Sequence, residues 1–179
     1  MLTTVRSLVD EIAAARTEFA SRVEDLSDTE GDVKPAADSW SVSEVVEHLV
    51  WAEMAGLNSM MIAIDAWRRG DPVWKEANPN RDESIETIIK STWRPKEKVP
   101  EGAGPQWGGP LSYWVSVHAA CHSVVEDVAA RIRHDELDEV VFPHPISGPL
   151  TLRQRLAFLR YHMQHHMPQL EGIRRHLGK

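Results

Sequence analysis

Residues 151–177 read TLRQRLAFLRYHMQHHMPQLEGIRRHL. Leu152, Leu156, Leu159, His162, His166, Leu170, Ile173 and Leu177 recur at three- and four-residue intervals, the period of one face of an α-helix. Thr151, followed three residues later by Gln154, is a capping box that marks the helix start. His162 and His166 are one turn apart on the stripe, so their imidazoles share a face. Two nitrogens so placed can meet one metal ion at about 2.0–2.1 Å. Pro168 sits two residues after His166, while the stripe runs on to Leu177. Inside a helix it removes a hydrogen bond and crowds the carbonyl of Gln164, at a cost of about 3 kcal/mol. Either the helix kinks there, or it breaks and restarts with Pro168 in its first turn.

Upstream, residues 40–67 read WSVSEVVEHLVWAEMAGLNSMMIAIDAW. Ser41 and Glu44 form a second capping box, and Trp40 can staple onto Val45. The stripe runs through Leu49, Ala52, Leu57, Met60, Met61, Ile64 and Trp67, and Gly70 and Pro72 close it. His48 lies on its inward side. Leu2, Val5, Leu8, Val9, Ile12, Phe19, Val23 and Leu26 form a stripe over residues 2–26, which residues 27–31 end. A third long helix spans about Leu111 to Arg133, and residues 142–149 read as a loop. Residues 71–110 are rich in glycine and proline, with one short helix from about Glu83 to Trp93. The expectation is an all-α single domain over residues 1–179. It is a four-helix bundle with a long crossover between the second and third long helices. A connection of that length is functional or spans the bundle.

Composition narrows the function. The chain of 179 residues has 20 Lys+Arg against 27 Asp+Glu, a net charge of −7, which argues against gripping nucleic-acid phosphates. The single cysteine, Cys121, excludes an internal disulfide framework, so a reducing cytoplasm is the default compartment. No signal peptide is visible at the N-terminus. No apolar run approaches the ~18 residues of a membrane span. Nine histidines and seven tryptophans stand out.

Histidines occupy inward positions on three long helices. If the helices carrying His48 and His162 are neighbours, three imidazoles converge; otherwise each is a core histidine satisfied by a carbonyl or water. His118 and His122 repeat the four-residue spacing on the third helix. His165 points about 100° from the face of His162, toward solvent or the periphery of the site. His134, His144 and His176 read as surface residues. Glu44 is either an orienter of His48 or only the capping carboxylate. Cys121, on an apolar stripe without basic neighbours, reads as buried and structural. Trp74, Trp93 and Trp107 either pack the crossover down or line a pocket. The Lys96-Glu97-Lys98 run reads as a solvated loop.

The segments from Trp40 to Leu49 and from Gly148 to Leu170 resemble the DinB/YfiT-like family. The first has its Trp-Ser start and later His-Leu. The second has Gly-x-Leu-Thr leading into His-x-x-x-His. The resemblance implies a four-helix bundle, commonly a homodimer, holding one divalent metal such as zinc or nickel. The ligands it implies are His48, His162 and His166, with His165 at a non-ligand position. Relatives of this kind include transferases that use low-molecular-weight thiols such as mycothiol or bacillithiol, a mycothiol-dependent isomerase, and proteins labelled metal-dependent hydrolases. The implied partners are a small thiol and a small electrophilic substrate, with water as the alternative nucleophile. A non-catalytic metal-binding dimer is a further alternative. No His-Glu-x-x-His is present, since position 163 is Met, so the motif carries no built-in carboxylate base.

Overall fold

The computed structural model describes residues 4–94, 99 and 102–179. The elements are α1 (Val5–Ser21), α2 (Asp28–Gly31), α3 (Val42–Arg68), α4 (Ile85–Thr92), α5 (Leu111–Ala129), β1 (Val141–His144), β2 (Gly148–Thr151) and α6 (Leu152–His176). Leu2, Pro95, Pro100 and the Lys96-Glu97-Lys98 run lie outside the described residues. The four long helices form the bundle. Around it the order is α1, α5, α3, α6, so α1 faces α3 and α5 faces α6 across the diagonals.

Side-chain contacts give the directions. Arg68, at the end of α3, donates to the carbonyl of Arg131 just past α5, so those two helices run parallel. Arg174, near the end of α6, pairs with Asp25 just past α1, so this pair is parallel as well. The crossover starts at the C-terminal end of α3 and returns to Glu47 near its N-terminus. It therefore spans the bundle, because two parallel neighbours cannot be joined by a short turn. On the way it lays α4 onto α6, where Ile85, Ile88 and Ile89 pack with Leu150 and Phe158. Gln154, besides its capping role, donates from its side-chain amide to the carbonyls of Asn80 and Glu83.

The capping boxes at Ser41/Glu44 and Thr151/Gln154 are present. Local structure differs from the sequence reading in three places. The first helix ends at Ser21 rather than Leu26, because Ser27 and Glu30 make a capping box of their own and start α2. Gly31 ends α2 against α5, where a Cβ would lie 2.6 Å from the Cβ of Leu111. α5 stops at Ala129 rather than Arg133. Residues expected as a loop form the antiparallel β1–β2 hairpin, in which Pro143 faces Pro149. Proline reads as a loop signal, but a two-stranded ribbon has two open edges where a missing N–H costs little. Finally, α6 is continuous through Pro168, which excludes a break and restart there. Packing of Leu170 and Ile173 into the main core offsets the lost hydrogen bond.

Candidate metal centre

α3 and α6 are neighbours, and their contacts run in opposite directions along the two helices. His48 near the start of α3 therefore faces His162 and His166 beyond the middle of α6. All three are buried, and one nitrogen of each lies within 4.8 Å of the others. The Nε2 of His162 is 3.1 Å from that of His48 and 3.2 Å from that of His166. Three nitrogens placed tetrahedrally about one zinc-like ion would be roughly 3.3 Å apart, so this spacing suits three ligands of one ion.

The hydrogen-bond partners of these rings fix where their protons sit. Nδ1 of His48 lies 2.6 Å from the carbonyl oxygen of Ala103, and Nδ1 of His166 lies 2.8 Å from Oε1 of Gln169. Both oxygens only accept, so each Nδ1 donates and each Nε2 keeps a lone pair. Burial lowers the pKa of His48 and of His162, and pushes His166 down to about 3, with neighbouring histidines adding to the effect. Neutral rings therefore bring three Nε2 atoms together with at most one proton among them. That proton satisfies one neighbour and leaves another pair of lone pairs in opposition. A cation at the centre would face all three lone pairs at once, so the donor set fits a divalent metal.

The cluster opens into a cavity of about 1290 Å³ whose walls include Trp40, Trp93, Phe158 and Tyr161. Trp40 packs on His48 with ring centroids 5.0 Å apart. Trp93, from the crossover, lies edge-on to His162 and donates from Nε1 to Ser147. Of the three crossover tryptophans, Trp93 lines the cavity, whereas Trp107 is 69% exposed and covers Trp51.

Glu47, adjacent to His48, was missed at the sequence level. It is buried and accepts the backbone N–H groups of Gln106, Trp107 and Gly108 and the indole N–H of Trp51. Burial alone would raise its pKa, but these donors outweigh burial and hold the carboxyl below its ordinary value. Glu47 thus anchors the end of the crossover, and the nearby Ala103 carbonyl of that segment orients His48. A carboxylate between Val46 and His48 on an otherwise apolar run was the available signal.

The other candidates separate cleanly. His118 is buried against Phe19 and its Nε2 has no partner. His122 is partly exposed, and among the described residues this pair joins no metal-ligand group. Glu44 accepts from the Ser41 backbone N–H and from Lys34, which is the capping role. Cys121 is buried and its thiol is raised to about 11, chiefly by burial, so it is no nucleophile at neutral pH. His165 is exposed, at the cavity edge beside Trp93. His144, expected at the surface, is instead buried in the hairpin. Its Nδ1 accepts the N–H groups of Ile146 and Ser147, because the hairpin folds inward against Phe158.

Burial also gives the protein a pH signature outside the cluster. His118 and His144 are each pushed down to about 3, burial being the larger cause and a nearby arginine the smaller. Unfolded histidine titrates near ~6.5. Above that value both states are neutral and stability is full. Below it the unfolded chain binds protons that the folded chain refuses, so stability falls as the pH drops toward the folded values. Urea unfolding of the metal-free protein should show a loss of at least about 2 kcal/mol between neutral pH and pH ~5. An unchanged midpoint would mean that these rings are solvated.

Comparison with known proteins places this geometry among relatives. The DinB superfamily profile matches residues 11–170. The chain is 26% identical over 166 residues to the uncharacterized protein YuaE of Bacillus subtilis strain 168, covering 89% of this chain and 93% of YuaE. In structure it is similar to YfiT from Bacillus subtilis, with a TM-score of 0.64 at 15% identity over 99% of this chain and 91% of YfiT. YfiT is described as a probable metal-dependent hydrolase with an unusual four-helix bundle topology. A conserved protein from Enterococcus faecalis matches with a TM-score of 0.58 at 18% identity, covering 100% of both chains.

Proposed function

This chain belongs to the DinB superfamily, and on that premise we propose that it is a metal-dependent enzyme acting on a small electrophile with a low-molecular-weight thiol. His48, His162 and His166 would hold one divalent ion, zinc or nickel. When bound, such an ion supplies Lewis acidity that favours the anionic form of a thiol or water at its open positions.

The observation that carries the thiol reading is the neutrality of the ligand shell. His48 is oriented by a backbone carbonyl and His166 by an amide oxygen. Among the described residues no carboxylate hydrogen-bonds either ring. Three neutral imidazoles with neutral orienting groups leave a dication its full charge, which favours an incoming anion such as thiolate. The chain's own residues do the rest. The α3–α6 packing preorganises the nitrogens, while Trp40 packs on His48 and Trp93 and Phe158 pack on His162. A second reading, hydrolysis by activated water, is favoured by the description of YfiT. The homodimer and the cytoplasmic setting belong to the same proposal and follow from the family resemblance and the single cysteine.

Cobalt substitution tests the reading. Bacterial low-molecular-weight thiols, added one at a time to the cobalt-loaded protein, should produce a sulfur-to-cobalt charge-transfer band with at least one of them, absent in His162→Ala. If no thiol perturbs the spectrum while the loaded protein hydrolyses an ester or amide unaided, hydrolysis replaces thiol transfer.

A further inference from the structure

Arg155 lies on α6 two turns before His162, about 10 Å along the helix axis. It is 6% exposed and lines the same cavity as the histidine cluster. Its guanidinium carbon lies 4.9 Å from the ring centroid of Phe142 and 5.5 Å from that of Phe158. Phe158 stacks in turn on His162, with centroids 5.1 Å apart and planes 22° apart. One phenyl ring thus separates the guanidinium from the nitrogen cluster.

What distinguishes Arg155 is that no counter-charge meets it among the described residues. Among the described residues no carboxylate pairs with it, and its Nη1 has no hydrogen-bond partner. The other buried arginine, Arg16, has Glu53. Stacking on two phenyl faces offsets part of the desolvation, but it uses none of the five N–H donors around the guanidinium edge. A buried cation left unpaired is strongly destabilising. Space has been kept for it nonetheless. Gly56 on α3 faces the guanidinium, and a Cβ there would lie 2.9 Å from Nη2. Among the described residues the remaining charged lining is Lys90 and Arg94 with Asp38.

We infer that Arg155 is the anion-binding residue of this cavity, and that the substrate is a small organic carboxylate whose acid group meets Arg155 while its reacting end lies at the histidine cluster. This rests on the proposed function only in taking the cluster as the reacting end. One guanidinium matches one negative charge, and its planar fork offers two parallel N–H donors to the two oxygens of a carboxylate. A phosphate dianion would call for a second deep cation or a set of backbone N–H donors, whereas the groups stacked on Arg155 are phenyl rings. The aromatic wall between the two ends suits an apolar or aryl spacer.

Calorimetric titration of phenylpropionate, phenylpropionamide and inorganic phosphate tests this on the protein both metal-free and metal-loaded. The metal-free protein should bind the acid about tenfold or more tighter than the amide. Arg155→Met should bind both alike. Its melting temperature should hold or rise, because an unpaired buried charge has been removed. Arg155→Lys, which keeps the charge but not the fork, should retain part of the preference, and it carries the test if the methionine variant does not fold. Equal binding of acid and amide by the parent, or an undiminished preference in Arg155→Met, would overturn the assignment. Phosphate displacing phenylpropionate at the lower concentration would overturn the carboxylate in favour of a phosphate. A parent protein that holds its metal yet shows no preference for the acid would sink this inference alone. A persisting preference in a protein that takes up no metal would sink the metal reading alone.

Discussion

His162→Ala should reduce the metal content of the purified protein from about one ion per chain to below about a tenth of that. His162 is the central member of the cluster, since its Nε2 faces those of both His48 and His166. Removing it leaves two imidazoles on different helices and a gap between them. His48→Ala and His166→Ala should have effects of the same order, while His134→Ala and His176→Ala should retain the parent's content. The same loss should appear in stability. An ion that binds only the folded chain stabilises it by about 4 kcal/mol at a free concentration a thousand times its Kd. The parent should therefore melt several degrees higher with added zinc, and His162→Ala should show no shift. Elemental analysis and thermal melts together check this. Full metal occupancy in a His48→Ala/His166→Ala double variant would mean that the ion is held elsewhere.

Arg16→Met should destabilise the protein by about 3–5 kcal/mol, enough to unfold many domains outright. Arg16 on α1 donates from Nη2 to Glu53 on α3 at 2.5 Å and from Nη1 to the carbonyl of His118 on α5 at 2.6 Å. Both side chains of the pair are buried. The three helices are tied together at one guanidinium. Burial raises the pKa of Glu53, with Arg16 pulling the other way, so without Arg16 the carboxyl rises further. A raised folded pKa means that stability is greatest at low pH and lost as the pH climbs through the folded value. The variant's deficit should accordingly be larger at neutral pH than near pH ~4. Arg16→Met/Glu53→Leu, which removes both charges and fills the space, should recover most of the loss. Urea unfolding of the two single variants and the double variant closes the cycle. A single-variant loss below about 1 kcal/mol would show that solvent reaches the pair.

Both expectations rest on groups that were unequally legible before the structure. His48, His162 and His166 could be placed on inward faces from periodicity, because a helix repeats every 3.6 residues and apolar neighbours mark the buried side. Arg16, Glu53, Glu47 and Arg155 could not. Charged residues in a sequence are read as solvated, since few are fully buried. Arg16, Glu53 and Glu47 are buried through something distant in the chain, an opposite charge on another helix or three backbone N–H groups of the crossover, and Arg155 lies between Phe142 of the hairpin and Phe158 one turn on.

The sequence by itself determined the four long helices, the capping boxes that start α3 and α6, and the long crossover. These are local properties, set by side-chain period and by contacts three or four residues apart. It also placed one histidine inward on α3 and two inward on α6. Only the tertiary structure decided that α3 and α6 are neighbours running in opposite directions, which brings those imidazoles to 3.1 and 3.2 Å. It likewise decided that the hairpin carries His144 inward and that Gly56 leaves room for Arg155. The physical reason is that an apolar stripe specifies that a face must be buried but is nearly indifferent to which other stripe buries it. That choice is made by the summed packing of the whole core and by the few buried charges that find partners in one arrangement alone.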